Sequence, residues 1–489
     1  MNTIVQLQYN TSFMKIRNEA DVLINKLLPF VEKYTDSLNT ELTQSSPGMT
    51  LSKSQKFWLG FCITGIILTS SINWAAFSRI SVGLYKTTAL SWMFRHSKIA
   101  WEHLFHLSLK IIFKVYGITK GVVSIDDSDK KRSKCTTKIF GVHKIKDKST
   151  GGFCMGQGLV FLVLITPKLS FPIGYAFHIP DPKISEWTKE DKRLKKAGVP
   201  KSERPKKPVR SEEYPTIPMI AKALLKIFVE KHPEIKIEAI VADALYGNAE
   251  FMDEASKIAG NAQVISQIRY NQNILLKSDK KSVETYFKNI QPIQKTIHVR
   301  GGKEVVVLIK SARIHVCAHK KKRFVIAIKY IGEKDYRYLA ASDLTWRYPD
   351  IIDAFTLRWL VEVFIQDHKT NEGWGNLTKQ PDEDGSYRSL TLSLLVDHCL
   401  LLHPDQVASI NNKLHARTVG SLCDTVKVDC ILSFVEQIIH SDDPESHFKQ
   451  ISVFLKEHFV KANDSQKHMN LNSWGNYQSA PSLKYKAFC

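Results

Sequence analysis

Four residues fall at helical spacing in the segment 351–369, which reads IIDAFTLRWLVEVFIQDHK. Phe355, Arg358, Glu362 and Lys369 would lie on one narrow stripe of a helix with about 3.6 residues per turn. Most other positions are apolar, so the segment predicts one continuous helix that is buried on nearly all sides. Ionised groups removed from water are unfavourable unless they are paired or bind a metal. The stripe therefore predicts either an ion pair or a functional site.

The simpler interpretation of the stripe is structural. Arg358 and Glu362 are four residues apart, and such a pair on an exposed helix contributes about 0.3–0.5 kcal/mol. Two distant carboxylate sites favour the functional interpretation. Asp126 and Asp127 end one apolar segment, and Asp243 lies near the end of another.

The elements that would position these carboxylates begin at residue 121, where the pattern changes from helical spacing to apolar runs. The predicted strands are 122–127, 158–166, 170–178, 235–246 and 263–268, and the predicted helices are 216–231 and 249–258. The strand at 158–166 is apolar throughout, which is typical of a central strand. This order predicts an α/β core with a mixed sheet covered by helices.

The three carboxylate sites are far apart in sequence, but strand ends beside a covering helix are where ligands collect in α/β sheets. Converging carboxylates repel one another without a cation between them. Ligands that are oxygen atoms only suit Mg²⁺ or Mn²⁺, and two such ions can support phosphoryl transfer. Neighbouring residues on a strand face opposite sides, so only one of Asp126 and Asp127 can join the site.

The charge balance indicates a polyanionic partner. Lysine and arginine number 69 against 48 aspartate and glutamate residues, which is a formal net charge of +21. Many of these cations lie between the third predicted strand and the helix after it, in a segment that predicts a flexible loop suited to a phosphate backbone. The candidate phosphate-binding residues there are Lys192, Arg193, Lys195, Lys196, Lys206, Lys207 and Arg210.

Cysteine usage and hydropathy predict a protein of a reducing compartment with no membrane partner. No CxxC pair occurs, and His315, Cys317 and His319 alternate along what reads as a plain strand. The N-terminus lacks the pattern of a signal peptide. Polar residues interrupt the apolar segment 57–77, so it predicts a buried helix pair.

We expect four regions along the chain. Residues 1–118 read as a helical region, with helix spacing compatible with DNA binding, and residues 119–269 and 341–400 form the α/β core. Residues 270–340 read as a β-rich insertion with short strands and a Gly301-Gly302 turn. Residues 401–489 read as a helical C-terminal region with a polar tail.

In these carboxylates and in the stripe 355–369, the chain resembles bacterial insertion-sequence transposases of the DDE type, which have a ribonuclease-H-like core. It is most similar to the cut-and-paste branch with the signature Tyr-x2-Arg-x3-Glu-x6-Lys, because Arg358, Glu362 and Lys369 match position for position. Phe355 stands where the signature has Tyr, so one hydroxyl is missing. The segments around Asp126 and Asp243 resemble those of the family's first and second Asp, and its motif selects Asp126 over Asp127.

The resemblance implies a metal-dependent DNA transposase with Asp126, Asp243 and Glu362 as catalytic and metal-binding residues. A water would cut one strand at the transposon end, and the freed 3′-OH would attack the opposite strand to give a hairpin. A second water would open the hairpin, and the 3′-OH would join target DNA. Arg358 and Lys369 would hold phosphates. The resemblance further implies double-stranded DNA as partner, a homodimer on that DNA, and a bacterial cytoplasmic location at the nucleoid.

Two other functions remain open at this point. A metal-dependent nuclease would cut without joining, and a catalytically silent remnant would only bind DNA. The presence of all three carboxylates disfavours the remnant. A two-carboxylate glycoside hydrolase has no use for the positive charge or for Arg358 and Lys369.

Overall fold

The computed structural model describes residues 27–81, 85–132, 138–147, 150–276, 279–299, 302–376, 380–449 and 452. Helices and one large mixed sheet make up an α/β architecture. The helices are α1 Pro29–Ser45, α2 Lys53–Thr69, α3 Trp74–Ile80, α4 Thr87–His96, α5 Trp101–Tyr116, α6 Pro182–Lys196, α7 Ile217–Lys231, α8 Ala249–Ile258, α9 Val283–Lys288, α10 Tyr348–Thr356, α11 Trp359–Thr370, α12 Glu383–Leu401, α13 Pro404–Asn411 and α14 Val419–Ile439. The strands are β1 Lys120–Lys131, β2 His143–Lys146, β3 Phe153–Ile165, β4 Ser170–His178, β5 Lys236–Ala242, β6 Gln263–Ile268, β7 Asn273–Leu276, β8 Asp279–Ser282, β9 Ile293–Val299, β10 Lys303–Val316, β11 Lys321–Tyr330 and β12 Arg337–Ala341.

The centre of the sheet has the strand order β4-β3-β1-β5-β6. Strands β4, β3 and β1 are antiparallel neighbours, whereas β5 and β6 run parallel to β1. The parallel connections need crossovers, and helices α7 and α8 supply them. The predicted α/β core with a mixed sheet is therefore confirmed at this level.

The residues after β6 extend the same sheet. Strand β12 pairs antiparallel with β6, β11 pairs with β12, and β10 pairs with β11. Strands β7, β8 and β9 attach around β10. The β-rich segment predicted from sequence is thus hydrogen-bonded edge to edge with the central strands.

Both faces of the sheet are covered. Residues of β5 alternate between the two faces, because Ile240 packs in the main hydrophobic core and Val241 packs with the residues of α10. Helix α11 lies across β1 and β3, where the ring of Phe161 contacts Phe364 and Trp374. Asp126 is paired directly with Phe161 and therefore faces α11.

The helix predicted over 351–369 is broken, and this part of the prediction is wrong. Helices α10 and α11 are separate, and the amides of Leu357 and Arg358 bond the carbonyls three residues back rather than four. The tighter turn separates α10, which packs against β5, β6 and β9, from α11, which packs against β1 and β3. The segment is also less buried than predicted, since Trp359 is 46% exposed.

The first part of the basic segment after β4 is a helix rather than the loop that its composition predicts, whereas residues 205–211 form no helix or strand. Lys192, Arg193, Lys195 and Lys196 lie on α6, whose N-cap is Asp181. The carboxylate of Asp181 also accepts a hydrogen bond from the amide of Ser211 at 3.0 Å, which ties the two ends of the segment together. We call residues 182–210 the basic arm.

The N-terminal helices form a second apolar cluster with α12 and α14. Helix α2 begins with a capping box between Ser52 and Gln55, and most of its length is buried. In the described residues no single helix is long and apolar enough to cross a membrane, although α2 and α3 together, bent by 91°, meet that test by length and composition. Both belong to the apolar cluster, as predicted for a buried helix pair.

We expect Phe161→Ala to destabilise the protein by about 3–5 kcal/mol, because it removes the fully buried ring that joins β3 to α11. The measurement is the free energy of unfolding in urea. Phe153→Ala is the matched control, since Phe153 is on the same strand but 66% exposed. Its effect should stay within about 0.5 kcal/mol, and equal effects of the two substitutions would contradict the packing described.

Candidate active site

Arg358 joins the first and third predicted carboxylates. Its Nη2 atom donates to Oε1 of Glu362 at 2.8 Å, and its Nη1 atom lies 3.8 Å from Oδ2 of Asp126. These side chains are 17%, 33% and 16% exposed, so the cluster is desolvated but reachable from solvent. The predicted ion pair between Arg358 and Glu362 is present, and Asp126 makes it a three-member group.

Asp243 reaches the same place from β5. The parallel pairing of β1 and β5 ends at Ile125 opposite Ala242, so Asp126 and Asp243 are the next residues on adjacent strands. Alternation places both on the face that α11 covers. Asp243 caps the short turn Ala244–Tyr246, because its Oδ1 accepts from the amide of Leu245 at 2.8 Å. The register therefore places Asp243 beside Asp126, and its charge acts on the Asp126 carboxyl.

Asp127 faces the other side of the sheet. On that side its charge acts on Tyr246. Burial raises the pKa of Tyr246 well above its usual value, and the charges of Asp127, Asp126 and Asp243 add to this effect. Asp126, rather than Asp127, thus has the contact with Arg358. Of the two alternatives left open by the sequence, the geometry favours Asp126.

The carboxyl of Asp126 lacks full compensation for its charge. Burial raises its pKa to about 6, and repulsion from Asp127 and Asp243 adds to this effect. The backbone amide of Asp127 and the Arg358 guanidinium act in the opposite direction, without cancelling it. A site that raises the pKa of an acid in this way favours binding of additional positive charge.

Lys369 lies farther along the same surface. Its Nζ atom donates to Oγ of Ser128 at 2.6 Å and lies 5.2 Å from the ring centre of Trp374. Ser128 is on the Asp126 face of β1, so Lys369 is about 7 Å along the strand from Asp126. Phe355 contributes its ring 6.0 Å below the Arg358 guanidinium.

The turn after Asp243 is held by the β-rich segment. His319 bonds the carbonyl of Gly247 at 3.1 Å, and Nε of Arg323 donates to Nδ1 of His319 at 3.1 Å. Arg323 is 1% exposed and also pairs with Asp253 of α8 at 2.7 Å. His315, Cys317 and His319 are therefore not a shared ligand set, because His319 is used to hold this turn.

A buried acidic network supports α11 from behind. Nδ1 of His368 lies 2.8 Å from Oε2 of Glu372, and Ser393 Oγ donates to the carbonyl of Glu372 at 2.5 Å. The carboxyls of Glu372 and Asp397 are hydrogen-bonded to one another, and both residues are at most 2% exposed. Burial raises the pKa of both carboxyls above their ordinary values.

Several residues of the site have no separate signal in the sequence. Ser124 donates to the carbonyl of Arg358 at 3.3 Å, and Ser128 contacts Lys369. The period-two pattern along β1, with Ser124, Asp126, Ser128 and Lys130 on one face, is the feature from which they could have been found. His319 and Arg323 could not be linked to Asp243 without the fold.

Within the part of the chain that the structure describes, no group of three or more His, Cys, Asp or Glu side chains is placed to hold a metal ion together. Arg358, rather than a common ligand point, connects Asp126 to Glu362. Chemically, the arrangement offers oxygen ligands from three elements, a guanidinium with further donors, and an ammonium nearby. No protein-family model and no curated protein matches the chain.

We expect Asp397→Asn to flatten the dependence of stability on pH. Because the folded pKa is raised, the folded chain keeps a proton that the unfolded chain loses above about pH 4. Stability of the unmodified chain should therefore fall as pH rises, by about 1.4 kcal/mol per pH unit for one retained proton. The amide cannot ionise and should remove this contribution.

The measurement is the free energy of unfolding of both chains in urea as pH rises from about 4, the ordinary pKa of aspartate. Burial lowers the pKa of His368 to about 3, and this contribution is common to both chains. Parallel pH curves for Asp397→Asn and the unmodified chain would contradict a raised pKa of Asp397.

Proposed function

We propose that this chain is a DDE-type DNA transposase, which cleaves transposon ends and joins them to target DNA. The observation that carries the proposal is that Arg358 contacts both Asp126 of β1 and Glu362 of α11, while Asp243 lies next to Asp126 at the end of β5. Convergence from β1, β5 and α11 is not expected of an isolated ion pair.

The strand order supports a ribonuclease-H-like core. The order β4-β3-β1-β5-β6 combines an antiparallel half with a parallel half, and Asp126 and Asp243 lie where the two parallel central strands separate. This is the place in an α/β sheet where ligands gather. Helix α11 adds Glu362 from above the sheet, as the resemblance implies.

The donor set fits Mg²⁺ or Mn²⁺. Asp126, Asp243 and Glu362 offer only carboxylate oxygens, which these hard cations prefer, and the raised pKa of Asp126 indicates unsatisfied negative charge. Bound there, two ions would supply activation of a water or hydroxyl and stabilisation of the leaving oxygen. The chain's own residues would hold the ions and orient the phosphate.

Arg358 has donors beyond those used by Glu362 and Asp126. A guanidinium has five N–H donors in a planar fork, which matches two oxygens of one phosphate. Lys369 would act as a point charge beside it. Together they would orient the scissile phosphate along the face of β1 that bears Asp126.

The basic arm supplies positive charge next to this core. Arg193 is paired with Glu190 at 2.6 Å and Arg204 with Asp191 at 2.8 Å, so these arginines are partly neutralised. Lys192, Lys195, Lys196, Lys206 and Lys207 have no ion pair with the described residues. The lysines are therefore the part of the arm available to a phosphate backbone. Arg210 instead donates to the carbonyl of Tyr214 at 3.1 Å.

A nuclease that cuts without joining has the same site chemistry. The two functions differ in whether a free 3′-OH is used as nucleophile. Incubating the protein with pre-cut end DNA and a target plasmid in Mg²⁺ separates them, because only a transposase gives joined product.

We expect Glu362→Gln to abolish nicking while the fold and DNA binding remain. The substitution keeps the shape of the side chain and removes one anionic ligand of the metal. Substitutions of residues that only support metal ligands already lower metal affinity or activity by about 10–100-fold. Nicking should therefore fall by more than about 100-fold. The substrate is a plasmid that carries the DNA flanking the gene, with melting temperature and DNA affinity measured on the same preparation.

The matched control is Asp353→Asn, which neutralises an exposed carboxylate on the preceding helix α10. It should nick at the unmodified rate. Nicking by Glu362→Gln at the unmodified rate would remove Glu362 from the active site. A lower melting temperature with normal nicking would show that Arg358 and Glu362 are a structural pair only.

We expect neutralisation of the arm lysines to weaken DNA binding and its dependence on salt. Replacing Lys192, Lys195, Lys196, Lys206 and Lys207 by Gln should lower the slope of log affinity against log salt by about 0.9 for each lysine that contacts phosphate. Fluorescence anisotropy with a labelled duplex measures this slope. Lys231→Gln with Lys257→Gln, two exposed lysines elsewhere, is the control. Unchanged slope in the arm variant would contradict a role of the arm in DNA binding.

A further inference from the structure

The face of β1 that bears Asp126 continues past the carboxylates and becomes positive. Ser128, Lys130 and Arg132 follow at alternate positions, so they share the Asp126 face. Lys369 approaches the same face from α11 through its hydrogen bond to Ser128. We call Lys130, Arg132 and Lys369 the β1 cation cluster.

A glycine allows the cluster to close. Gly375 lies in the short turn Trp374–Asn376, and a Cβ added to it would be 2.3 Å from the carbonyl of Lys369 and 3.3 Å from Nζ of Lys130. Any larger residue would collide with the backbone of Lys369. The glycine thus brings the Lys130 ammonium against the end of α11, close to the residue that bears the second ammonium.

Arg132 lies behind the two lysines and is held in place by neutral acceptors. Its Nε donates to Oε1 of Gln157 at 2.7 Å, and its Nη1 lies 3.5 Å from the carbonyl of Trp374. Gln157 is 3% exposed, and Nη2 of Arg132 is buried without a hydrogen-bond partner. Neither Lys130 nor Arg132 forms an ion pair with any residue that the structure describes.

Two cations placed side by side without a paired carboxylate, as Lys130 and Arg132 are among the described residues, repel one another. Burial, together with the charge of Arg132, lowers the pKa of Lys130, and burial lowers the pKa of Arg132 to about 10. Such an arrangement is unfavourable for the free chain and becomes favourable when an anion binds. The opposite face of β1 differs, because Lys131 there is exposed and paired with Asp147.

The spacing of the cluster relates it to the carboxylates. Ser128 and Lys130 are two and four residues beyond Asp126, which is about 7 and 13 Å along a strand. A DNA strand advances about 3.4 Å per nucleotide along the helix axis. A backbone laid along β1 would therefore reach the cluster about two to four nucleotides from the carboxylates.

We propose that the β1 cation cluster is a second phosphate-binding site, which holds the DNA backbone a few nucleotides from the scissile phosphate. Lys130 and Lys369 contact the phosphate, Ser128 keeps Lys369 in position, and Arg132 adds charge from behind. The ligand is a phosphodiester group of DNA, and in this respect the inference rests on the proposed function. The contribution of Lys130 has no counterpart in the signature that identified Arg358 and Lys369.

The test compares Lys130→Gln with Lys131→Gln, both made in chains that also contain Glu362→Gln so that no cleavage occurs. Both substitutions lower the net charge by one at neighbouring positions on opposite faces of β1. Anisotropy of a labelled short duplex is measured between about 50 and 200 mM salt. We expect Lys130→Gln to lower affinity and to reduce the salt slope by about 0.9, Lys131→Gln to change neither, and Lys130→Arg to retain binding.

A second measurement locates the contact. A series of duplexes carries one uncharged methylphosphonate at successive positions from a pre-cut end. At one position the methylphosphonate should weaken binding by the chain that retains Lys130. At that position it should not weaken binding further in the Lys130→Gln chain. Equal effects of Lys130→Gln and Lys131→Gln, or additive effects at every methylphosphonate position, would overturn the inference.

The inference and the proposed function fail separately. If the unmodified chain neither nicks nor joins DNA but the Lys130 effect and its methylphosphonate position are found, the phosphate site stands and the transposase proposal falls. If the unmodified chain nicks and joins but Lys130→Gln binds like Lys131→Gln, the transposase proposal stands and the second site falls. Melting temperatures of all variants show that each is folded.

Discussion

Three carboxylates on one face of a sheet repel one another unless positive charge lies among them, and the rest of the site is arranged around this constraint. Arg358 lies between Asp126 and Glu362 at the start of α11, directly after the tight turn that separates α10 from α11. Burial raises the pKa of Asp126 even so, and Arg358 offsets this only in part. The acidic cluster is thus partly neutralised by Arg358, and binding of a further cation remains favourable.

The same constraint gives a role to the networks that support the site. Behind α11, the carboxyls of Glu372 and Asp397 are hydrogen-bonded to one another, and the ring of His368 stacks against Phe364 and Trp374. Beside β5, His319 and Arg323 hold the turn that follows Asp243. Carboxylates that repel one another separate unless their backbones are held, and these networks hold two of the three elements.

The charge along one face of β1 changes sign within a few residues. Asp126 belongs to the acidic cluster, whereas Lys130 and Arg132 are two and three positions of alternation beyond it on the same face. An acidic pocket by itself repels a phosphate backbone. Cations on the same surface give that backbone a place to bind, so the two halves of the face are complementary parts of one proposed DNA-binding surface.

Strong local patterns made much of the core predictable. The segments that became β4, β6, α7 and α8 were predicted to within one residue, whereas β3 begins five residues earlier and β5 ends four residues earlier than predicted. Composition was a poorer guide to the basic arm, because a lysine-rich sequence predicts a solvated loop. In the structure Asp181 caps helix α6 and also accepts a hydrogen bond from Ser211, at the other end of the arm. Spacing alone also missed the break between α10 and α11.

The sequence by itself determined the residue types of the site, the spacing of Arg358, Glu362 and Lys369, and the two candidate strands for the carboxylates. Those features depend on local periodicity, which is written in neighbouring residues. Only the tertiary structure decided that Asp126 rather than Asp127 faces Arg358, that β1 carries its cations beside Lys369, and that His319 holds the Asp243 turn. These depend on strand register and on contacts between distant segments, for which one-dimensional spacing contains no signal.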